Sequence, residues 1–222
     1  MLRQTALVIA LGTVGMLTAP SAEACVWNFG TAGQPPIAPN TEFASGTVFP
    51  GQPAAPGDVC GSSLTLSTND TGATPLFNKE LGGVEAGIGL ISDPSGENEV
   101  TPGHNVLINI SNVIGRTGAM ALSIDADSVQ VGLGGASNDE WELLEGTTVL
   151  ASGVAPTYVN GTAVPFTLVN PADTVLTFEA VAGNVLLGSF TSPEQTIPEP
   201  ASLALFGTAL IGLGAIRRRR RG

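Results

Sequence analysis

The feature that most limits how this chain folds is a series of short apolar segments that begins at Leu64. Some of them alternate apolar and polar residues, as at Val106, Ile108 and Ile110, and a period of two is typical of a strand with one buried face. Turn-forming pairs such as Asn160-Gly161 separate the segments. We predict strands at 64–67, 84–91, 106–114, 120–124, 129–133, 141–144, 148–150, 163–169, 175–181 and 185–190.

This pattern contains no amphipathic helical stretch of convincing length between the two ends of the chain. About ten short strands in about 130 residues predict an all-β fold, an antiparallel β-sandwich that is jelly-roll-like. The expected large core residues are Trp141, Phe166, Phe178 and Phe190. The predicted domain organisation is a signal peptide (1–24), a Pro/Gly-rich N-terminal segment closed by a disulfide (25–63), a β-sandwich ectodomain (64–190), a linker (191–196) and a C-terminal tail (197–222).

The N-terminus has the features of a secretory signal peptide. Arg3 provides the positive charge, and residues 5–17 form an uncharged apolar run. Ala22 and Ala24 then fit the small-x-small pattern that signal peptidase cleaves. We therefore predict a cleavable signal peptide whose removal leaves Cys25 as the first mature residue.

The chain has two cysteines, Cys25 and Cys60, and both lie in the exported part. Disulfides persist in oxidising compartments, so we predict a bridge between them. Two free thiols, a catalytic cysteine and lipidation of Cys25 are the alternatives. Ala22 and Glu23 fit poorly before a lipidated cysteine, and no Cys-x-x-Cys motif is present.

The C-terminal tail combines three elements in a fixed order. It begins with Pro198, Glu199 and Pro200 and continues as a 16-residue apolar stretch at 201–216, which we predict to be a single transmembrane helix. The apolar stretch is slightly short for a span, but arginines at its end can snorkel to the interface. The arginines are Arg217, Arg218, Arg219, Arg220 and Arg221.

In this order of elements the tail resembles a PEP-CTERM sorting domain. The resemblance implies an exported protein of a Gram-negative bacterium that makes exopolysaccharide. It also implies cleavage near Pro198-Glu199-Pro200 by an exosortase, a membrane-embedded cysteine transpeptidase. By this analogy the helix anchors the protein to the inner membrane only transiently, and the mature protein is located at the cell surface or outside the cell.

The exported part of the chain is strongly acidic. Residues 25–197 contain 17 Asp and Glu but only two basic residues, Lys79 and Arg116, which gives a net charge of about −15. Such a domain repels phosphate backbones, so nucleic-acid binding is excluded. Cations, a neutral glycan, or a polyanionic polysaccharide bridged by calcium are compatible partners.

One segment, residues 87–100, stands out because it is rich in both glycine and acid residues. It resembles a "Gly-Leu-Gly … Glu-Asn-Glu-Ile" stretch that is common in the ectodomains of PEP-CTERM proteins, but that resemblance implies no activity. Turn-rich carboxylates are the ligands that Ca²⁺ prefers, although the spacing here is not that of an EF-hand. The candidate calcium ligands are Asp93, Glu97, Glu99, Asp125 and Asp127, and a solvated acidic loop is the alternative.

Signals for catalysis are weak. His104 is the only histidine and no Gly-x-Ser-x-Gly motif accompanies it. We therefore predict no catalytic residues and expect a non-catalytic protein of the cell surface or the exopolysaccharide (biofilm) matrix, processed by an exosortase. The first alternative is a calcium-assisted carbohydrate-binding module, and the second is a secreted glycoside hydrolase that uses two carboxylates.

Overall fold

A computed structural model describes residues 24–29, 40–54, 60–69, 76–81, 85–94, 96–126, 139–154 and 163–193. In these ranges the secondary structure consists of strands and turns, as the alternating sequence pattern predicts. The strands are β1 (Cys25–Asn28), β2 (Thr41–Phe43), β3 (Thr47–Pro50), β4 (Gln52–Pro53), β5 (Ser63–Ser67), β6 (Leu76–Leu81), β7 (Glu85–Leu90), β8 (Asn105–Asn109), β9 (Met120–Ala126), β10 (Glu140–Glu145), β11 (Thr148–Val154), β12 (Val164–Phe166), β13 (Val175–Ala182) and β14 (Val185–Thr191).

The strands form two antiparallel sheets. The first has the order β12-β9-β14-β7-β6-β2, and β1 also pairs with β14 and with β4. The second has the order β11-β10-β13-β8-β5-β3. This is the predicted all-β, β-sandwich-like class. The jelly-roll winding stays a prediction.

The core lies between the two sheets, because the buried residues of both belong to one hydrophobic cluster. On β8, for example, Val106 and Ile108 are buried while their neighbours are half-exposed. Burial of these alternating side chains is the main favourable term in folding. The four large residues expected in the core, Trp141, Phe166, Phe178 and Phe190, are all buried.

Two predicted strands extend well past the C-terminal ends of the observed ones. The segment predicted at 106–114 leaves the sheet after Asn109, whose side-chain oxygen accepts a hydrogen bond from the Ser111 N–H and starts a turn. The segment predicted at 163–169 forms only β12, because Glu145 accepts the Val169 N–H that a longer strand would use for pairing. In both places a side chain competes with the sheet for backbone hydrogen bonds.

The Pro/Gly-rich segment 25–63 contributes strands to both sheets. Strand β1 pairs with β14 and β4 in the first sheet, and β3 pairs with β5 in the second. The Trp27 indole N–H donates to the Phe49 carbonyl at 2.9 Å, and both side chains are buried. The described part of this segment is therefore integral to the sandwich.

Several predictions lie outside the described residues. They are residues 1–23 of the signal peptide, the strand at 129–133, and the tail with its apolar helix at 201–216. Within the described ranges, no helix has the length and apolar character needed to cross a membrane.

Candidate functional site

The acidic second half of segment 87–100 folds back onto the first sheet. Glu99 is fully buried and its Oε1 forms an ion pair with Lys79 Nζ on β6, which is also buried. The Glu99 backbone N–H donates to Asp93 Oδ2 at 3.3 Å, so both acids lie in one buried polar cluster. The next residue, Val100, forms a backbone bridge with Val185 at the start of β14.

Two glycines of this segment allow a close backbone approach, Gly89 to the acidic loop and Gly87 to β14. A Cβ on Gly89 would lie 2.0 Å from the Asn98 carbonyl oxygen, and one on Gly87 would lie 2.8 Å from the Leu187 carbonyl oxygen. Neither position tolerates a side chain without displacement of the backbone. The Gly-rich and acidic halves of the segment therefore form one structural unit, in which Gly89 leaves space for the loop and Glu99 fixes it.

The five candidate calcium ligands lie in different environments. Asp93 and Glu99 are buried in the cluster just described, whereas Glu97 is exposed at the loop surface. The backbone of Asp125 pairs with Leu186 in the first sheet, and Asp127 lies outside the described residues. Among the described side chains, no group of three or more His, Cys, Asp or Glu could hold a metal ion. The calcium site stays a prediction.

Two acids near Trp141 have structural roles that the sequence pattern did not reveal. Asp139 is buried, and its Oδ1 accepts the Asn184 N–H in the turn between β13 and β14. Glu145 is also buried, and its carboxylate accepts the N–H groups of Val169 and Asn170 at 2.8 and 3.1 Å. Both carboxylates therefore fix neighbouring loops.

A third pair of acids lies on half-exposed positions of the second sheet. Glu142 on β10 is directly opposite Glu179 on β13. Partial burial raises the pKa of Glu179 above its usual range. The hydrogen bond that protonated Glu179 donates to Glu142 and the repulsion between the two carboxylates act in the same direction. Like charges directly opposite each other destabilise a sheet.

This pair predicts a pH effect on stability. Because the folded-state pKa of Glu179 is raised, the folded protein binds the proton more tightly than the unfolded chain does. Protonation of Glu179 therefore contributes to stability at low pH. This contribution is lost as pH rises from the unfolded-state pKa, about 4.3, through the folded-state pKa. Replacing Glu142 with glutamine is expected to raise the free energy of unfolding at pH 7 by about 0.2–1 kcal/mol. Urea denaturation at pH 4 and pH 7 measures both effects.

Glu42 provides the matched control, because it is an exposed acid on β2 in the other sheet. The difference in stability between Glu142→Gln and the wild type should grow from pH 4 to pH 7, whereas Glu42→Gln should show a much smaller change. An identical pH response of the two variants would contradict the assignment to the Glu142–Glu179 pair.

Sugar-binding sites commonly expose aromatic residues, but the two tryptophans of this chain pack in the core. Trp27 packs edge-on against Phe190, with ring centroids 5.8 Å apart, and Trp141 packs against Phe178. Both tryptophans are buried. Tyr158 lies outside the described residues.

Near the two ends of the described chain, Cys25 and Ser192 are hydrogen-bonded to each other. Cys25 forms the predicted disulfide with Cys60. The Cys25 N–H donates to Ser192 Oγ, and the Ser192 N–H donates to the Cys25 carbonyl, each at 2.8 Å. The first residue after the predicted signal-peptide cleavage is therefore bonded to the start of the predicted linker.

Comparison with known proteins identifies the segment that follows the linker. The model of the PEP-CTERM protein-sorting motif matches residues 196–221. The tail is a PEP-CTERM sorting motif. It implies an exported protein that an exosortase processes at the membrane. No curated protein and no solved structure matches the chain, so the comparisons describe the tail and not the β-domain.

The PEP-CTERM match confirms the family resemblance that rested on Pro198-Glu199-Pro200, the apolar stretch and Arg217–Arg221. These residues, together with Ala22 of the predicted signal-peptidase site, lie outside the described residues, whereas the Ala24 carbonyl accepts a hydrogen bond from the Ala54 N–H at 3.2 Å. Their individual roles in processing stay predictions. The disulfide also bears on processing, because a Cys25 sulfur bonded to Cys60 is not available for lipid attachment.

Proposed function

We propose that this chain is a non-catalytic protein of the cell surface or the extracellular exopolysaccharide matrix. The observation that carries the proposal is the PEP-CTERM sorting motif at residues 196–221. Exosortase and signal peptidase would be its processing partners, and the inner membrane would hold it only until the tail is cut. The acidic β-domain would then be the mature functional part.

The disulfide supports export. Bridges such as Cys25–Cys60 persist outside the cytoplasm, where thiols are not kept reduced. A β-domain with a single disulfide and a net charge of about −15 suits a protein that stays soluble and separate in a hydrated matrix.

The placement of the acids supports a non-catalytic role over a glycoside hydrolase. Such enzymes need two carboxylates that face each other across a substrate cleft. Glu99 is paired with Lys79, while Asp139 and Glu145 accept backbone N–H groups. These three buried carboxylates stabilise loops through the contacts that they make.

The burial of Trp27 and Trp141 favours the matrix role over a carbohydrate-binding module that stacks sugars on tryptophan. The pairing of Glu99 with Lys79 also favours it over a calcium-assisted module centred on that loop, because an ammonium group beside a carboxylate competes with a cation. Retention of the purified protein on a glycan array that depends on calcium would favour the calcium-assisted module over the matrix role.

The sorting step is tested by mass spectrometry of the C-terminal peptide of the protein isolated from its own host. We expect a C-terminus at or just before Pro198-Glu199-Pro200. Glu199→Gln alters the motif and is expected to preserve the Arg217–Gly222 end. Glu194→Gln, a matched change just outside residues 196–221, should leave processing intact.

An intact Arg217–Gly222 end in the wild-type protein would contradict the proposal. The chain would then be a tail-anchored envelope protein, and release into the matrix would lose its main support.

A further inference from the structure

A groove of about 550 Å³ lies where the turn after β8 passes the start of β5. Its lining side chains include Ser63, Ser111, Asn112, Ile114 and Arg116. The size is within the range of small-ligand sites, about 300–1,000 Å³. Four of these side chains are neutral and Arg116 is basic, so no carboxylate of the lining opposes an anionic ligand.

The guanidinium of Arg116 has unused hydrogen-bonding capacity. It has five N–H donors, and the protein acceptor it contacts is the Ser111 carbonyl, 3.3 Å from Nη1. Its Nε–H is buried and has no acceptor among the described residues. No carboxylate in the described part of the chain lies within ion-pair distance of it. By contrast, the other basic residue of the domain, Lys79, is buried in its pair with Glu99.

We propose that this groove binds a carboxylate-bearing sugar, such as a uronic acid residue, with its carboxylate on Arg116. Arginine recognises carboxylates through paired N–H···O bonds. The hydroxyls of Ser63 and Ser111 and the amide of Asn112 suit sugar hydroxyls. Ile114, which is 50% exposed, offers an apolar surface to the C–H face of the ring.

The charge of the domain restricts the kind of glycan further. Arg116 provides a local positive charge, but the domain as a whole has a net charge of about −15 and repels a continuous polyanion. The repulsion extends over about 10 Å at 0.1 M salt. The groove therefore favours a single acidic sugar within an otherwise neutral glycan.

Isothermal titration of the mature protein tests this inference with three defined probes. They are a neutral tetrasaccharide that carries one glucuronic acid residue, the same tetrasaccharide with glucose at that position, and tetragalacturonate. We expect the mono-acidic probe to bind at least tenfold more tightly than the glucose probe. Tetragalacturonate should bind more weakly than the mono-acidic probe at 0.02 M salt and gain affinity as salt rises.

Three variants test whether the mono-acidic probe binds in the groove. Arg116→Gln is expected to weaken binding of the mono-acidic probe at least tenfold, and Arg116→Lys should retain part of the affinity because the charge remains. Thr147→Asp is the matched control, because it shifts the net charge by the same amount at an exposed turn outside the groove. It should leave binding within about twofold of the wild type.

The inference is overturned if the mono-acidic probe shows no saturable binding, or if Arg116→Gln binds it as well as Thr147→Asp does. Equal binding of the glucose probe would also overturn it. The inference extends the proposed matrix function, but the two fail separately: C-terminal mass spectrometry tests sorting, and titration tests the groove.

Discussion

Replacing Glu99 with glutamine is expected to lower the free energy of unfolding by about 3–5 kcal/mol. Glu99 is fully buried and pairs with Lys79, whose ammonium group is also shielded from water. Removing one partner of a buried ion pair leaves the other charge without its compensating carboxylate, and that charge is costly in a low-dielectric interior. Urea denaturation at pH 7 measures the loss.

Glu97 offers a matched control two residues away. It lies in the same loop but is exposed, so Glu97→Gln should change stability by no more than about 0.5 kcal/mol. The double variant Lys79→Met/Glu99→Leu removes both charges and should recover most of the stability lost in Glu99→Gln. If Glu97→Gln and Glu99→Gln were equally stable, the pair would have no structural role.

Loss of the disulfide is the second large effect that we expect. The bridge between Cys25 and Cys60 spans 35 residues, and the chain-entropy model assigns it about 4 kcal/mol. Cys25→Ala/Cys60→Ala should therefore unfold at much lower urea concentration than the oxidised wild type. Alanine is the appropriate replacement because Cys25 is fully buried and a serine hydroxyl would need a partner there.

The stability of the reduced wild-type protein distinguishes the effect of the cross-link from the effect of packing at the two cysteines. It retains both sulfur atoms, so it should match the double variant if the cross-link itself provides the stability. A reduced protein as stable as the oxidised one would contradict this explanation. Because β1 pairs with β14, the loss should also expose the start of the linker near Ser192 to proteolysis.

The sandwich core was predictable from sequence where one strand face is apolar. On β10, Trp141 and Leu143 alternate with half-exposed residues, and this pattern identified the strand. Strand β6 was missed because its buried positions include Asn78 and Lys79. Lys79 is buried only because Glu99, 20 residues later, folds back to meet it, and no local pattern contains that information.

The short strands between Cys25 and Ser63 were missed for a different reason. Prolines such as Pro50 and Pro53 lie at strand ends, where they interrupt the apolar pattern but do not prevent pairing. The buried carboxylates and the Arg116 groove depend on loops that meet through the fold. The sorting tail, in contrast, is a contiguous motif and was recognisable from sequence alone.

The position of β14 has a mechanical consequence for a protein held at its C-terminus. This strand leads into the sorting tail, and it is bonded to β9 along one edge and to β7 and β1 along the other. Tension applied through the tail would reach the β-domain through β14, and the hydrogen bonds on both edges of this strand would have to break before it could leave the sheet. The strand that receives the force is thus flanked on both sides, and one flanking strand, β1, is covalently cross-linked through Cys25.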